Sequence, residues 1–358
     1  MRYLRLLAGS ATLSFVLVWA WVALMPMAFM DAEYPSWRAK MLLLDHCDLG
    51  ETVILGDSRA ATDILPRRLP IHATNLAVGG GETIEAYVAM ARALACPDPP
   101  KRVLISFVPS HFTHADLFWE RSVRYGFFDR ADIAALREAS RQTGDNAIYQ
   151  AGHTDGLPAV IRDWLHLTDF PSLYFASLAH GGGFLRWSRN QQILNETMTE
   201  GGHYYFGKEA GSDTVAIEGH MTGFQPLPIL DHYFDRVLTL LDAHGIEAEF
   251  VAMPVNEATW RQVRPDVREQ FIAYLTSYAD RYPRFHVSRD IMPHWPNRLF
   301  GDQFCHLNPE GAELFSAQLA QRLQDAPPKT QNEAQNGWLS DTGTEASAKV
   351  VPISKRGS

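Results

Sequence analysis

Cysteine is scarce: three residues in 358, Cys47, Cys96 and Cys305. That is too few for a disulfide framework, and no Cys/His spacing matches a zinc site, so no metal is expected. There is no block of basic residues interleaved with aromatics, and the net charge is −9, so nucleic acid is not an expected partner. No GxGxxG occurs and no lysine-bearing phosphate loop, which leaves a nucleotide-binding reading only the Gly79-Gly80-Gly81 turn. No internal repeat is evident, and no cofactor is expected.

What is present is enough apolar material for a core, 46% hydrophobic against 20% charged, in a length that suits one large or two ordinary domains. Arg2 and Arg5 precede an uncharged, mostly apolar stretch from Leu6 to Met30, long enough to cross a bilayer. Arginines before the span, with Asp31 and Glu33 after it, orient the N-terminus to the cytoplasm and the rest outside. The competing reading is a cleaved signal peptide, whose apolar core is usually shorter and which needs a small-x-small site that does not follow here. The expected location is therefore the inner (cytoplasmic) membrane, single-pass, with residues beyond the span periplasmic or otherwise extracytoplasmic. An oxidising compartment permits a Cys47–Cys96 bridge, and two ordinary buried thiols remain the alternative.

Residues 31–50 read as a juxtamembrane linker. Thr52-Val53-Ile54-Leu55 is a β-rich apolar run. His72 to Val78 reads as a second short strand, Glu82 to Leu94 as an amphipathic helix, and Val103 to Val108 as a strand buried on both faces. Strand, helix, strand, helix, strand in this order predicts an α/β fold with a central parallel sheet in three layers, α/β/α, flavodoxin-like. From about 110 to 226 the pattern loosens into an insertion with helical pieces near Arg130–Arg141 and Leu157–Leu167. Its aromatics include Trp119, Tyr125, Phe127, Phe128, Trp187, Tyr204 and Tyr205, as lid, substrate platform or plain packing. Regularity returns with helices at Asp231–His244, Trp260–Tyr282 and Pro309–Leu323 and strands at Ala248–Met253 and Phe285–Val287. The domain is thus expected over 51–325, and the polar stretch 326–358 is expected to be disordered.

Two stretches carry chemistry. In Ile54-Leu55-Gly56-Asp57-Ser58-Arg59, a strand ends in glycine and a serine follows two residues later, ahead of a helix. Ser58 then stands at the carboxyl end of a strand, where open α/β sheets place ligands, as a nucleophile or as a helix cap. Near the other end lies Gly301-Asp302-Gln303-Phe304-Cys305-His306-Leu307-Asn308-Pro309, just before the last helix. Asn75-Leu76-Ala77-Val78-Gly79-Gly80 supplies a glycine turn after the second strand, suited to an oxyanion site.

Together these blocks resemble the SGNH (GDSL-like) hydrolase superfamily, and more narrowly the membrane-anchored members that accompany membrane-bound O-acyltransferases in polysaccharide or teichoic-acid acylation. The resemblance covers the anchor, the first three strands and the C-terminal part of the folded region, not the insertion. It implies a serine O-acyl esterase or acyltransferase, acetyl being the expected group, acting on an exopolysaccharide or cell-envelope glycan beside a membrane-bound O-acyltransferase. It implies Ser58 as nucleophile, His306 as base, and the backbone N–H groups of Ser58 and Gly80 as oxyanion donors, with Gly79 and Gly81 as alternates. The family's acid usually lies three residues before the histidine. Here that position is Gln303, and Asp302 lies four before, so the site is a triad through Asp302 or a Ser–His dyad. Where the family often has an asparagine after the third strand, this chain has Ser110 and His111. Asn256 is a substrate contact or a loop cap, and Arg59 binds an anionic sugar or shapes the helix start. The displaced acid and missing asparagine leave a second reading, a catalytically decayed glycan-binding or scaffolding partner.

Overall fold

The computed structural model describes residues 2–115, 117–145, 183–288 and 290–325. Its centre is a five-stranded parallel sheet in the order β2-β1-β3-β4-β6. The strands are β1 (Thr52–Gly56), β2 (Ala73–Asn75), β3 (Arg102–Ser106), β4 (Glu247–Phe250) and β6 (Phe285–Val287); β5 (Val255–Asn256) and β7 (His294–Trp295) form a separate parallel pair. β1 is buried along its whole length between β2 and β3, with Leu55 opposite Ile105 and Gly56 opposite Ser106.

The apolar runs of β1 and β3 have a physical reason. Side chains alternate faces along a strand, and here both faces are covered. Val53, Leu55, Val103 and Ile105 join a large core, while Ile54 and Leu104 point into a second, smaller one. The large core is closed by α2 (Tyr34–Asp45), α4 (Thr83–Leu94), α7 (Pro228–Ala243) and α9 (Pro265–Arg281); the smaller by α3 (Ser58–Asp63) and α10 (Pro309–Asp325). α4 starts in a capping box, Glu82 with Glu85, and turns Ile84 and Val88 inward. Thr83 Oγ1 then donates to Leu230 O at 2.7 Å, tying α4 to α7.

The α/β class, the parallel sheet and an N-terminal apolar helix, α1 (Arg2–Leu24), match the sequence reading. α1 is long and apolar enough over Arg2–Val22 to cross a membrane. The boundaries differ where a local chemical event ends an element. The apolar stretch was expected to run to Met30, but Pro26 breaks it, and a 3₁₀ turn, Pro26–Ala28, follows; Met27, Phe29 and Met30 are buried in the large core. The expected linker 31–50 is corrected outright: it holds α2, with Trp37 at 0% exposure. β2 stops at Asn75 because that side chain leaves the ladder, donating to Ala60 O and Ile64 O and accepting from Ala77 N. The helix expected over Trp260–Tyr282 is two, α8 (Glu257–Trp260) and α9, because Pro265 holds Arg264 in extended backbone.

In the insertion, α5 (Arg130–Thr143) and α6 (Trp187–Thr199) form; the helix expected at Leu157–Leu167 lies outside the described residues, as does the tail 326–358. Trp119, Tyr125, Phe127 and Phe128 are core residues, not a lid, and Trp37 packs edge-on against both Tyr125 and Phe127. Cys47 and Cys96 are disulfide-bonded, joining the chain just past α2 to the end of α4.

Candidate functional site

The Gly56-Asp57-Ser58 turn is built by sterics and one carboxylate. A Cβ on Gly56 would lie 2.0 Å from Ser106 O, so only glycine lets β1 end against β3. Asp57, fully buried, caps α3: Oδ1 accepts from Arg59 N at 2.9 Å and Ala60 N at 3.4 Å. Its Oδ2 accepts from Val108 N at 2.8 Å, which pins the turn to the loop after β3 and explains why β3 stops short of Val108. The cap is thus Asp57, leaving the Ser58 hydroxyl to other work.

That hydroxyl meets His306. Ser58 Oγ and His306 Nε2 are 2.8 Å apart across 248 positions of sequence, and His306 Nδ1 lies 2.5 Å from Asp302 Oδ2. The carboxylate partner makes Nδ1 the protonated nitrogen, so Nε2 accepts from the serine O–H. The extra residue between Asp302 and His306 is absorbed by Cys305, whose φ of 59° is left-handed, while Gly301 N donates to His306 O at 2.8 Å and closes the loop. Asp302 Oδ1 also accepts from Phe304 N at 2.8 Å and His306 N at 3.3 Å. Burial pushes the Asp302 carboxyl up, but the bond to His306, its charge and the two amides outweigh this and hold it below the usual range. Leu307 N donates to Asp63 Oδ1 at 2.9 Å, so the histidine loop is fastened to the far end of the helix that Ser58 begins.

Ser58 and His306 open into a cavity of about 500 Å³. Gly80 lines it with φ +71°; a Cβ there would come 2.8 Å from Arg121 Nη1 and 3.1 Å from Leu117 Cδ1. Gly79 lines it too, but Gly81 N donates to Val78 O at 3.0 Å, so that amide is spent within the turn and Gly81 is not an alternate donor. Ser110 and His111 line the cavity where the sequence placed them; burial pulls the His111 ring below its usual range, which keeps it neutral with one N–H to donate.

For Asn256 the second of its two readings, a cap, is the one the structure shows, and Arg59 has a further part beside its two. Asn256 is no cavity residue: it caps α8, accepting from Thr259 N at 2.8 Å and donating to Ser212 O and Thr214 O. Arg59 lines the cavity, but its charge is committed inside the protein. Its Nη2 donates to both carboxylate oxygens of Glu218 at 2.8 Å and its Nε to Phe304 O at 3.1 Å. It clamps the Gly56-Asp57-Ser58 turn to the histidine loop and to the 3₁₀ turn Ile217–His220, while its buried Nη1 has no hydrogen-bond partner among the described residues.

Three cavity residues had no signal in the sequence. Glu33 pairs with Arg121 at 3.0 Å, and burial raises its carboxyl above the usual range. Arg121 rides on a single π-helical turn, Phe118–Val123, a geometry often found at functional sites. Phe206 packs its ring 5.3 Å from that of His306. Among the described residues, no group of three or more His, Cys, Asp or Glu is placed to hold a metal. No family model matches the chain, and no curated protein matches it either.

Proposed function

We propose that the protein is a membrane-tethered serine O-acyl esterase or acyltransferase of SGNH type. The observation that carries this reading is the chain of contacts from Ser58 Oγ through His306 to Asp302, at 2.8 and 2.5 Å, on the rim of a 500 Å³ cavity. In this reading His306 Nε2 takes the proton as Ser58 Oγ attacks an acyl carbonyl, and Asp302 steadies the imidazolium. The N–H groups of Ser58 and Gly80 meet the oxyanion, Gly80 without a Cβ to intrude. Collapse of the tetrahedral intermediate passes the proton from His306 to the leaving alcohol and leaves acyl-Ser58. Water, or a glycan hydroxyl deprotonated by the same imidazole, then takes the acyl group.

The sheet order, with β1 flanked by β2 and β3 and the site at the strands' carboxyl ends, supports the flavodoxin-like, SGNH-type three-layer architecture. The approach of Asp302 to His306 removes the displaced acid as a reason to read the site as decayed. The arginines ahead of α1 and the Cys47–Cys96 bridge support an inner-membrane anchor with the domain on the oxidising, periplasmic side. There the expected partners are a glycan and a membrane-bound O-acyltransferase. A fluorophosphonate probe applied to the full chain in detergent tests the chemistry: wild type is labelled at Ser58, and Ser58→Ala and His306→Ala are not. Labelling of all three to the same extent would overturn the assignment.

A further inference from the structure

Helix α1 does not meet the domain through a free tether. Its last turn already lies inside protein, with Val22 at 1% exposure and the Trp21 ring 5.5 Å from Phe29. The carbonyls just beyond it are held by α6: Asn190 Nδ2 donates to Met27 O at 3.0 Å and to Met30 O at 2.9 Å. Tyr125 O–H donates to the Asp31 carboxylate, at 2.8 Å to Oδ2, and Glu33 pairs with Arg121. The exit of α1 is therefore fixed in position relative to the sheet.

The surface beside that exit is unusual. The 3₁₀ turn Gly183–Arg186 packs against the turn Pro26–Ala28 and leads straight into α6. There Leu185 is 80% exposed and Trp187 37%, with Arg186 between them and Arg189 close behind. Leu24, the last residue of α1, is 78% exposed beside the same junction. Leucine and tryptophan among arginines suit the boundary between acyl chains and headgroups, where apolar side chains sink and guanidinium groups meet phosphate.

Granting the reading above that α1 crosses the bilayer, we propose that Leu185 and Trp187 make a second membrane contact, seated in the headgroup region at the foot of α1. The domain then stands on two points and keeps one height above the lipid. The cavity shares that height. Glu33, one of its lining residues, is nine residues beyond Leu24, at most about 30 Å even for a fully extended chain. The Tyr204 ring lies 5.4 Å from that of Phe206, which lines the cavity. The substrate is accordingly one presented at the membrane surface.

The test uses Leu185→Cys in the full chain. Its environment-sensitive fluorophore labels only the new thiol, because Cys47 and Cys96 are bridged and Cys305 is buried. The protein is reconstituted into phosphatidylethanolamine–phosphatidylglycerol vesicles, with or without a headgroup-nitroxide lipid. The reference is the same label on Ser277→Cys, exposed on α9 beside β6, the sheet edge opposite β2. The label at 185 should lose most of its emission to the nitroxide and the label at 277 little. Equal, weak quenching at both sites, in protein that resists carbonate extraction, would overturn this proposal alone. Release of the protein by carbonate would overturn the anchor reading and the footing with it.

Discussion

Asp302→Asn keeps the side chain's shape and deletes its charge, so it isolates the contribution of the carboxylate to the imidazole. The expected result is a fall in kcat on 4-nitrophenyl acetate of about 10³–10⁴-fold with KM little changed; an unaltered kcat would make the site a Ser–His dyad. The Arg59–Glu218 pair is a matter of stability, since both side chains are buried, 4% and 0% exposed. Glu218→Gln leaves a guanidinium charge uncompensated in the interior and should cost about 3–5 kcal/mol in denaturant unfolding. Arg59→Met with Glu218→Leu should recover most of that loss. Lys40 sets a pH dependence. Burial pulls its ammonium down to about 7, while Nζ donates to Asn75 O at 3.1 Å. The folded state therefore holds fewer protons at this site than the unfolded chain between about 7 and the ordinary lysine value. Stability from this residue rises with pH across that window, by up to about 1.4 kcal/mol per pH unit. Lys40→Met should flatten the rise in unfolding midpoint between pH 7 and 9; an unchanged slope would mean that the ammonium is solvated. At this scale the site was half legible. Ser58, Gly80 and His306 announce themselves because turn chemistry is local and glycine has few substitutes. Glu33 and Arg121 do not, because their pairing depends on how two distant segments fold together, and a π-helical turn has no sequence signature.

Among the elements, α2 and the turn before it are the ones the sequence misplaced. Charged and apolar residues are mixed through 31–50, and the burial of Trp37 and Lys40 is decided by neighbours from other parts of the chain. A soluble domain should therefore not begin at residue 31. A form starting at Met25 keeps Met27, Phe29 and Met30 in the core; one starting at residue 34 loses them and Glu33 as well. Thermal melts should place the shorter form well below the longer, and equal melting temperatures would show that the turn is dispensable. The Cys47–Cys96 bridge closes a loop of 49 residues, worth about 4 kcal/mol in the chain-entropy account. Cys47→Ser with Cys96→Ser should lower unfolding free energy by about 2–4 kcal/mol with the sheet retained. The strands themselves were legible, since a sheet covered on both faces demands unbroken apolar runs. Their last residues were not, because Asn75 and Asp57 end them through side-chain bonds that periodicity does not register.

The whole molecule divides into two cores on opposite faces of one sheet, and the contacts from Ser58 through His306 to Asp302 join the smaller core to the middle of the sheet. β1 and its serine are locked between neighbours on either side. The imidazole arrives on a loop tied to α3, Leu307 N donating to Asp63 Oδ1 at 2.9 Å, and α3 with the chain just after it is tied to α10, where Ser316 Oγ donates to Asp63 O at 3.1 Å and accepts from Leu65 N at 2.9 Å. Fraying of that last helix would thus loosen the approach of His306 to Ser58 while the strands stay paired. A clipped C-terminus would strip Phe315, Leu319 and Leu323 from beneath the smaller core, so the shortened protein should melt below the intact one even where the five strands keep their ladder.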